Sequence, residues 1–516
     1  MSLRLALLPR ALLARLRGPG LTGHLIAVAA GALSTLAFAP YNLWPFALLS
    51  IALLYQSLLQ LDGRQAALRG LAWGLGLFVS GVSWIYISIH LHGNASPLLA
   101  GFLTGGLEFG LSLLIALWAW VWVRFLRSGN AWSDSLSFAA IWVVQEMFRG
   151  WFLTGFPWLY QGYAYTHTWL SGWAPLGGVW LLGALAVCSA CLLSEWRLLR
   201  RPAQAGMALL LIASFWLGGL ALQQVNWTQP KGEPLSVNLV QANIEQSLKW
   251  DPDYITHTLS LYRDLTYAQP ATDLVVWPET AVPVLQSQSQ YFVDGIAANL
   301  AERGSTLITG IPVDEMDPEG LRIYNGITVG GSQPQSQYLK QKLVPFGEYV
   351  PLEALLRGLI DFFNLPMSSF SRGPADQPPL LAAGYRLAPL ICYEAVYPDF
   401  AAKQAAQSDL LITISNDSWF GRSIGPLQHL QMAQMRAIEA QRWMIRATNN
   451  GVTALIDPHG AIRARIPQFQ QEVLIGEVQP MQGLTPYLRW RSAPLGLVTV
   501  SVLLIVALRR RRQNAR

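Results

Sequence analysis

Charged residues are scarce in this chain. Asp, Glu, Lys and Arg make up only 13% of its 516 residues, whereas 52% are hydrophobic and the mean hydropathy is +0.31. Soluble domains usually contain about a quarter of charged residues. The shortage excludes a wholly soluble protein, and it indicates a membrane protein with a substantial soluble part.

Cysteine is the second scarce residue, with three in the whole chain. Cys188 and Cys191 lie within one apolar segment, and Cys392 stands alone in the polar part. A disulfide framework is therefore excluded from that part. His429 and the other histidines show no spacing typical of metal ligands, so the sequence predicts no metal site.

The net charge is +6, and its positive charges lie mainly beside the apolar segments. Arginines cluster at the ends of these segments and in a terminal run, Arg509 to Arg512. Proteins that bind nucleic acid carry such residues on a soluble face. Arginines beside apolar segments instead mark the cytoplasmic side of a membrane. The charge pattern therefore indicates membrane topology, and no nucleic-acid partner is expected.

Apolar stretches of about 20 residues can cross a bilayer as helices, and eight stretches have this character. They are residues 21–39, 43–61, 67–89, 98–126, 134–152, 177–196, 205–224 and 492–508. We therefore predict a multi-pass α-helical membrane protein with three parts: a membrane domain of seven helices over 1–229, a soluble domain over 230–488, and an eighth helix with a basic tail over 489–516.

Arginines in alternate connections predict the orientation. The N-terminal segment, the connections after the second, fourth and sixth stretches, and the C-terminal tail are all arginine-bearing and are expected in the cytoplasm. Seven spans then place the soluble domain on the opposite side, which is the periplasm of a bacterial inner membrane. The assignment depends on the count, and its poorest link is the fifth stretch, which contains Glu146 and Arg149.

The soluble part alternates between strand and helix patterns, as layered α/β domains do. Strands are predicted at residues 236–244, 273–280, 306–313, 385–394, 409–417 and 453–460. Helices are predicted at residues 253–268, 291–304 and 427–443. In such domains catalytic residues lie at strand ends, and three candidates do so here.

Cys392 follows the apolar run PLI and precedes Tyr-Glu, at the end of a predicted strand. A thiolate is a strong nucleophile when a base or a positive charge lies beside it. The alternative is a small buried core residue.

Two upstream residues supply the missing partners. Glu279 ends the strand in VVWPETAVP, where an uncompensated carboxylate against apolar walls would have a raised pKa and exchange protons near neutral pH. Lys340 in YLKQKLVPFGE would place a positive charge beside a developing oxyanion. The alternatives are a surface or capping acid and a solvated lysine. Lys342 is a rival, because strand alternation puts it on the same face as Lys340.

Together these segments resemble the nitrilase superfamily, whose members use a Glu-Lys-Cys triad in a four-layer α-β-β-α sandwich. The superfamily pattern Tyr-x-Lys-x-x-Leu is met by Tyr338, Lys340 and Leu343, which selects Lys340 over Lys342. The segments NDSWFG at 416–421 and RAIEAQRWMIRATNNG at 436–451 also match. The whole chain is similar to the membrane-embedded apolipoprotein N-acyltransferase family, through QANIEQSLKWDP, VVWPETAVP, LVPFGEYVPLE, ICYE and SNDSWFG.

The resemblance implies a two-step acyl transfer. Cys392 would take the sn-1 acyl chain of a phospholipid, typically phosphatidylethanolamine, as a thioester. The α-amino group of a lipoprotein's S-diacylglyceryl-cysteine would then receive it. Glu279 would act as general base and acid, and Lys340 would stabilise the tetrahedral intermediates.

The same resemblance gives supporting roles to Glu348, Glu394, Tyr393 and Trp250. It implies no metal and no diffusible cofactor, and nothing in the sequence requires more than a monomer.

Two other functions remain open at this point. One is a membrane-tethered amidase of the same superfamily that hydrolyses small amides. The other is a transporter or sensor whose soluble domain only binds a ligand. The apolar segment 346–370 argues against the amidase, because it would suit a lipid-facing arm, although an ordinary buried helix has the same pattern.

Overall fold

The computed structural model describes residues 10–318, 320–330, 336–349 and 370–514. They form two compact units. One unit runs up to Tyr86 and includes Pro97–Val225 and the chain from Ser492 onward, and the other consists of Ile87–Ser96 and Asn226–Arg491. Most of the apolar segment 346–370 lies outside the described residues.

The first unit is helical. Its helices are Arg10–Arg17, Leu21–Thr35, Pro45–Leu58, Gly63–Val82, Pro97–Val121, Ala131–Arg149, Ala174–Ser194, Trp196–Leu199, Pro202–Leu222 and Ala493–Asn514. Small residues allow close packing. A Cβ added at Gly31 would overlap the backbone of Trp73, and one added at Gly76 would overlap that of Val28. The helices Leu21–Thr35 and Gly63–Val82 therefore contact each other backbone to backbone.

Four helical stretches within the described residues are long and apolar enough to cross a membrane. They are Pro97–Leu126, Trp169–Ser194, Pro202–Leu222 and Ala493–Gln513. A fifth is added if Gly63–Val82 and Ile85–His92, which a bend separates, count as one span. The predicted count of eight is thus not confirmed. Helices do occupy the remaining predicted spans, but Leu21–Thr35 and Pro45–Leu58 have only 15 and 14 residues.

The second unit is built on two six-stranded sheets and a two-stranded ribbon. In chain order its strands are β1 (Thr228–Pro230), β2 (Leu235–Gln241), β3 (Leu274–Val276), β4 (Thr306–Asp317), β5 (Gly320–Val329), β6 (Ser336–Leu339), β7 (Leu380–Ala382), β8 (Tyr385–Ile391), β9 (Leu410–Ser415), β10 (Met444–Thr448), β11 (Thr453–Ile456), β12 (Ile462–Ile466), β13 (Glu472–Val478) and β14 (Met481–Gly483). Its longer helices are α1 (Pro252–Tyr267), α2 (Gln286–Glu302), α3 (Pro398–Ala405), α4 (Gly425–Ala440) and α5 (Pro486–Trp490).

The two sheets have related topologies. The first has the order β13-β2-β3-β4-β5-β6, and the second has the order β12-β11-β10-β9-β8-β7. Each has three parallel strands, β2-β3-β4 in the first and β8-β9-β10 in the second. The other neighbours in both sheets are antiparallel. In both sheets the parallel strands therefore direct their carboxyl ends to one edge, where loops can bring side chains together.

Three apolar clusters define four layers. One cluster contains side chains of both sheets, including Val237 and Ile412, so the sheets pack face to face. A second joins the first sheet to α1 and α2 through residues such as Tyr262 and Ile296. The third joins the second sheet to α3, α4 and α5. The predicted α-β-β-α sandwich is confirmed.

The predicted elements are present but too few, and most of their predicted bounds differ from the observed ones by a few residues; strand 306–313, for example, continues to Asp317. Strand 273–280 ends at Val276, before Trp277 and Pro278, and strand 385–394 ends at Ile391, where Cys392 begins a single helical turn. The strands β1, β5, β6, β7, β10, β12, β13 and β14 were not predicted from the sequence. Several of them are short or lie at sheet edges, where alternation of polar and apolar residues is incomplete.

Gly310 in β4 supports the turn that follows β3. A Cβ at this position would lie 2.7 Å from the Cα of Glu279 and 2.5 Å from the carbonyl oxygen of Pro278. We expect Gly310→Ala to displace this turn and to lower the thermal unfolding temperature of the full-length protein in detergent.

The control is Gly295→Ala in α2, where an added Cβ meets no atom within 4 Å. An exposed helical glycine costs about 1 kcal/mol relative to alanine, so this change should stabilise the protein. Equal unfolding temperatures for the two variants would contradict the tight packing under Glu279.

Candidate active site

Cys392 begins a tight turn directly after β8. Its φ is +51°, in the left-handed region that non-glycine residues rarely adopt. Such strain persists only where surrounding contacts enforce it, and it is common at functional sites. The side chain is 8% exposed, so the thiol lies at the end of a sheet and nearly out of solvent.

A buried polar network holds the backbone of this turn. His429 in α4 has its Nε2 at 3.0 Å from the carbonyl oxygen of Cys392 and its Nδ1 at 3.3 Å from Asp417. Arg446 donates to the other carboxylate oxygen of Asp417 at 2.9 Å. Although burial opposes ionisation, Arg446 and His429 hold the pKa of Asp417 down at about 2. The ion pair of Asp417 and Arg446 therefore holds His429 against the backbone of the strained residue.

Glu279 lies three residues beyond β3 and is held from several sides. Its Oε1 accepts hydrogen bonds from Asn325 at 2.7 Å and from the Lys340 ammonium at 3.2 Å. Its Oε2 accepts one from the backbone N–H of Asn416 at 2.8 Å. The carboxylate is thus fixed by groups from β5, from the segment after β6 and from the segment after β9.

Lys340 follows β6 and bridges two carboxylates. Besides Glu279, its ammonium donates to Glu348 Oε1 at 2.8 Å. Asn325 also donates to Glu348 at 2.8 Å, so one amide and one ammonium join the same pair of acids. Lys340 is 1% exposed, whereas the ammonium of Lys342 lies 5.3 Å from the ring centre of Tyr397. The structure therefore separates the two rival lysines and places Lys340 among the acids.

Glu394 ties the segment of Lys340 to the turn of Cys392. Its Oε2 accepts from the backbone N–H of Ile391 at 2.8 Å, and its Oε1 accepts from that of Gln341 at 2.7 Å. The hydroxyl of Tyr338 also donates to Oε1, at 2.8 Å. Burial raises the pKa of Glu394 to about 7, although these donors oppose the rise. Glu394 therefore positions the other groups.

The remaining two predicted site residues are Tyr393 and Trp250. Tyr393 follows Cys392, and its ring packs edge-on against Tyr397 with 5.3 Å between ring centres. Trp250 is half-buried, and its indole nitrogen is buried without a hydrogen-bond partner among the described residues. Both residues are therefore adjacent in sequence to residues of the site, Tyr393 to Cys392 and Trp250 to Lys249.

Lys249 is a site residue that sequence reasoning missed. Its ammonium donates to the backbone carbonyl of Glu279 at 2.8 Å, and the residue is only 4% exposed. The signal available in the sequence was its place beside Trp250 in QSLKWDP. A single lysine in a polar turn looks like a solvated one, and the contact forms only when the chain folds.

The protonation of the two reactive groups differs from the sequence-based expectation. Burial alone would raise the pKa of Glu279, but Lys340, Lys249 and Asn325 hold it below its ordinary value. The prediction of an uncompensated carboxylate with a raised pKa is therefore wrong. Burial and the nearby Glu279 charge raise the pKa of the Cys392 thiol. At rest the site thus holds an ionised acid beside a protonated thiol, as general-base activation of a nucleophile requires.

The fold and the site define a class, that of the carbon–nitrogen hydrolases. The family profile described as carbon-nitrogen hydrolase matches residues 236–486. A second profile, described as the apolipoprotein N-acyltransferase N-terminal domain, matches residues 30–192.

Relatives of known name match nearly the full chain. The apolipoprotein N-acyltransferase of Azotobacter vinelandii is 59% identical over 96% of this chain and 97% of its own length. That of Pseudomonas putida is 58% identical over 94% and 96%, and that of Vibrio vulnificus is 39% identical over 94% and 96%. The chain belongs to the apolipoprotein N-acyltransferase family and is an enzyme of the acyltransferase class.

Two solved structures are similar to about half of the chain. A mutant of the Nesterenkonia AN1 amidase from the nitrilase superfamily is 21% identical, with a TM-score of 0.36, over 52% of this chain and 97% of its own. The carbon-nitrogen hydrolase from Helicobacter pylori G27 is 17% identical, with a TM-score of 0.36, over 47% and 88%.

We expect Glu394→Gln to weaken the link between the Lys340 and Cys392 segments. The carboxylate of Glu394 accepts hydrogen bonds from backbone N–H groups on both of its oxygens. In the variant, the amide NH₂ group would face at least one of these N–H groups and could not accept its hydrogen bond. A buried donor left without a partner costs about 1–3 kcal/mol. Chemical unfolding of the full-length protein in detergent should show a loss of this size.

The matched control is Glu477→Gln, since Glu477 is exposed on β13. Its unfolding free energy should stay at the wild-type value. A Glu394→Gln protein as stable as this control would contradict the positioning role of Glu394.

Proposed function

We propose that this chain transfers the sn-1 acyl chain of a phospholipid, through a thioester on Cys392, to the α-amino group of the S-diacylglyceryl-cysteine of lipoproteins. This reaction would be the last step of lipoprotein maturation. The observation that carries the proposal is the fixed, ionised Glu279 bound to Lys340 beside the buried Cys392 thiol, in a chain of this family.

In the first step Glu279 takes the proton of the Cys392 thiol, and the sulfur attacks the ester carbonyl of the phospholipid. The carbonyl oxygen becomes an oxyanion, which the Lys340 ammonium stabilises. When the C–O bond breaks, the proton on Glu279 passes to the departing lysophospholipid hydroxyl. The carboxylate is thereby restored, and the acyl chain is held as a thioester.

In the second step the lipoprotein's free amine attacks the thioester carbonyl. Glu279 receives a proton from the attacking nitrogen and returns it to the departing sulfur, so that an amide and the free thiol result. A thioester is sufficiently activated to acylate an amine without ATP. Cys392, Glu279 and Lys340 are therefore the proposed catalytic residues.

The supporting residues receive roles from their contacts. Glu348 shares Lys340 with Glu279 and so keeps the ammonium directed into the site. Glu394 aligns two segments, as described above. Trp250 has a buried indole N–H without a described partner, and we propose that this group donates to bound substrate. Tyr393, at the turn of Cys392, is proposed to line the acyl-chain path.

The membrane part of the proposal concerns both substrates. Phosphatidylethanolamine is the proposed donor and a diacylglyceryl-modified lipoprotein the proposed acceptor, and each is anchored in a bilayer. A monomer is sufficient, because all proposed catalytic groups come from one chain. We further propose eight spans, with domain limits at residues 229 and 488, and a periplasmic catalytic domain on the inner membrane.

Intact mass spectrometry after incubation with phosphatidylethanolamine tests the proposed donor and nucleophile together. The expected result is a mass increase of one acyl chain that hydroxylamine removes. Cys392→Ala should show no adduct, and Glu279→Gln should form it at least about 100-fold more slowly, because general-base catalysis is worth that factor or more.

Lys403→Gln is the control, since Lys403 lies on α3 and pairs with the exposed Asp376. It should form the adduct at the wild-type rate. Ammonia release from small amides without lipid consumption would overturn the proposal in favour of an amidase.

The orientation is tested with introduced cysteines, because the three native cysteines are buried. Tyr291 is 94% exposed on α2, and Arg511 is exposed near the end of the last helix. In spheroplasts, a membrane-impermeant maleimide should label Tyr291→Cys at once and Arg511→Cys only after permeabilisation. The reverse pattern would mean that the count of spans is wrong by one.

A further inference from the structure

Lys249 brings a second ammonium group to the site, which the mechanism above does not use. It lies just before Trp250 and donates to the Glu279 carbonyl oxygen at 2.8 Å. A lysine that is 4% exposed has lost nearly all of its hydration. Such a group is retained where its charge compensates another buried charge.

The charges around the thiol show what it compensates. Glu279 and Glu348 both bind the single ammonium of Lys340, at 3.2 and 2.8 Å. Two carboxylates therefore share one cation, and Lys249 supplies a second cation near them. With Lys249 charged, this group of four residues is neutral, and without it the group carries one uncompensated negative charge.

The other ionisable groups near the thiol are already paired. Asp417 is bound by Arg446 at 2.9 Å, and Glu394 accepts backbone N–H groups. The titratable and charged groups to be considered are thus Glu279, Glu348, Glu394, Asp417, Lys249, Lys340, Cys392, His429 and Arg446. Among these described groups Lys249 is the cation beyond Lys340 that acts on both Glu279 and Cys392.

We propose that Lys249 is a positioning residue whose positive charge keeps Glu279 ionised, so that Glu279 can accept the Cys392 proton. The inference rests on the proposed function only in assigning a catalytic use to the proton transfer from Cys392 to Glu279. The electrostatic effect of Lys249 on Glu279 needs no substrate. Its hydrogen bond to the Glu279 carbonyl holds the ammonium in place, and its charge acts on the carboxylate.

The charge of Lys249 is itself sensitive to pH. Burial lowers its pKa to about 8, although Glu279 and Cys392 act in the opposite direction. Lys249 is therefore positively charged at neutral pH, and it loses its proton and its charge as the pH rises through about 8. Below that value a cation near Glu279 favours the ionised carboxylate, so that its removal must raise the pKa of Glu279.

The test is the pH dependence of Cys392 alkylation by iodoacetamide, followed in the full-length protein in detergent by mass spectrometry of the Cys392 peptide. The acid limb of this profile reports when the proton acceptor becomes ionised. Lys249→Gln keeps a hydrogen-bond donor but removes the charge. It should shift the midpoint of the acid limb upward by about one pH unit, the effect of one nearby opposite charge.

Lys249→Arg keeps the charge and should leave the acid midpoint at the wild-type position, as should the control Lys403→Gln. An unshifted midpoint in Lys249→Gln would overturn the proposal. So would an equal shift in Lys249→Arg, since the cause would then be structural. If Lys249→Gln does not fold, Lys249→Arg decides alone, because a shifted midpoint contradicts a role through charge.

Failure of the proposed function is distinguishable from failure of this inference. Alkylation requires neither phospholipid nor lipoprotein, so the shift is measurable even if no acyl adduct forms. Conversely, normal acyl transfer with an unshifted alkylation profile in Lys249→Gln would support the proposed function and overturn the proposed role of Lys249.

Discussion

The site depends on one buried ion cluster, in which the Lys340 ammonium lies between the carboxylates of Glu279 and Glu348. Burying these charges is costly, and the cost is offset only when every partner is in place. Asn325 binds both acids, and the backbone N–H of Asn416 binds the free oxygen of Glu279. The groups come from distant parts of the chain, so the cluster forms only when the first sheet and the loops around it are complete.

The second constraint is the strained turn at Cys392. A left-handed residue would relax if its neighbours allowed it. Glu394 binds the N–H of the preceding residue, while His429 contacts the carbonyl of Cys392 itself. Because Glu394 also binds the segment of Lys340, the strain in one loop and the position of the ammonium in another are maintained by the same carboxylate. The Cys392 turn and the Lys340 ammonium are therefore held in place by one shared carboxylate.

Sequence patterns predicted the kind of architecture but only part of its elements, and not its electrostatics. Strands β2, β3, β4, β8, β9 and β11 and helices α1, α2 and α4 follow from periodicity. The layered sandwich and the Glu279, Lys340 and Cys392 segments follow from strand–helix alternation together with the resemblance. Lys249 was not predicted, and the pKa of Glu279 was predicted to be raised when it is lowered; both errors have the same cause. Both depend on which charges meet across loops that are far apart in sequence, and no local pattern records those distances. The count of eight spans is not confirmed for a different reason, since the helices Leu21–Thr35 and Pro45–Leu58 are shorter than a spanning helix.

The protonation pattern suits a reaction in which water must be kept out. Glu279 is held ionised, and the Cys392 thiol is held protonated, so the proton transfer between them is unfavourable at rest. In the proposed mechanism it becomes favourable when the sulfur bonds to a carbonyl carbon and the negative charge moves to an oxygen beside Lys340. In this mechanism the thiol therefore loses its proton as the sulfur forms its bond to the carbonyl carbon. An acid with a lowered pKa also returns its proton readily to a departing alkoxide, so that one carboxylate serves both steps.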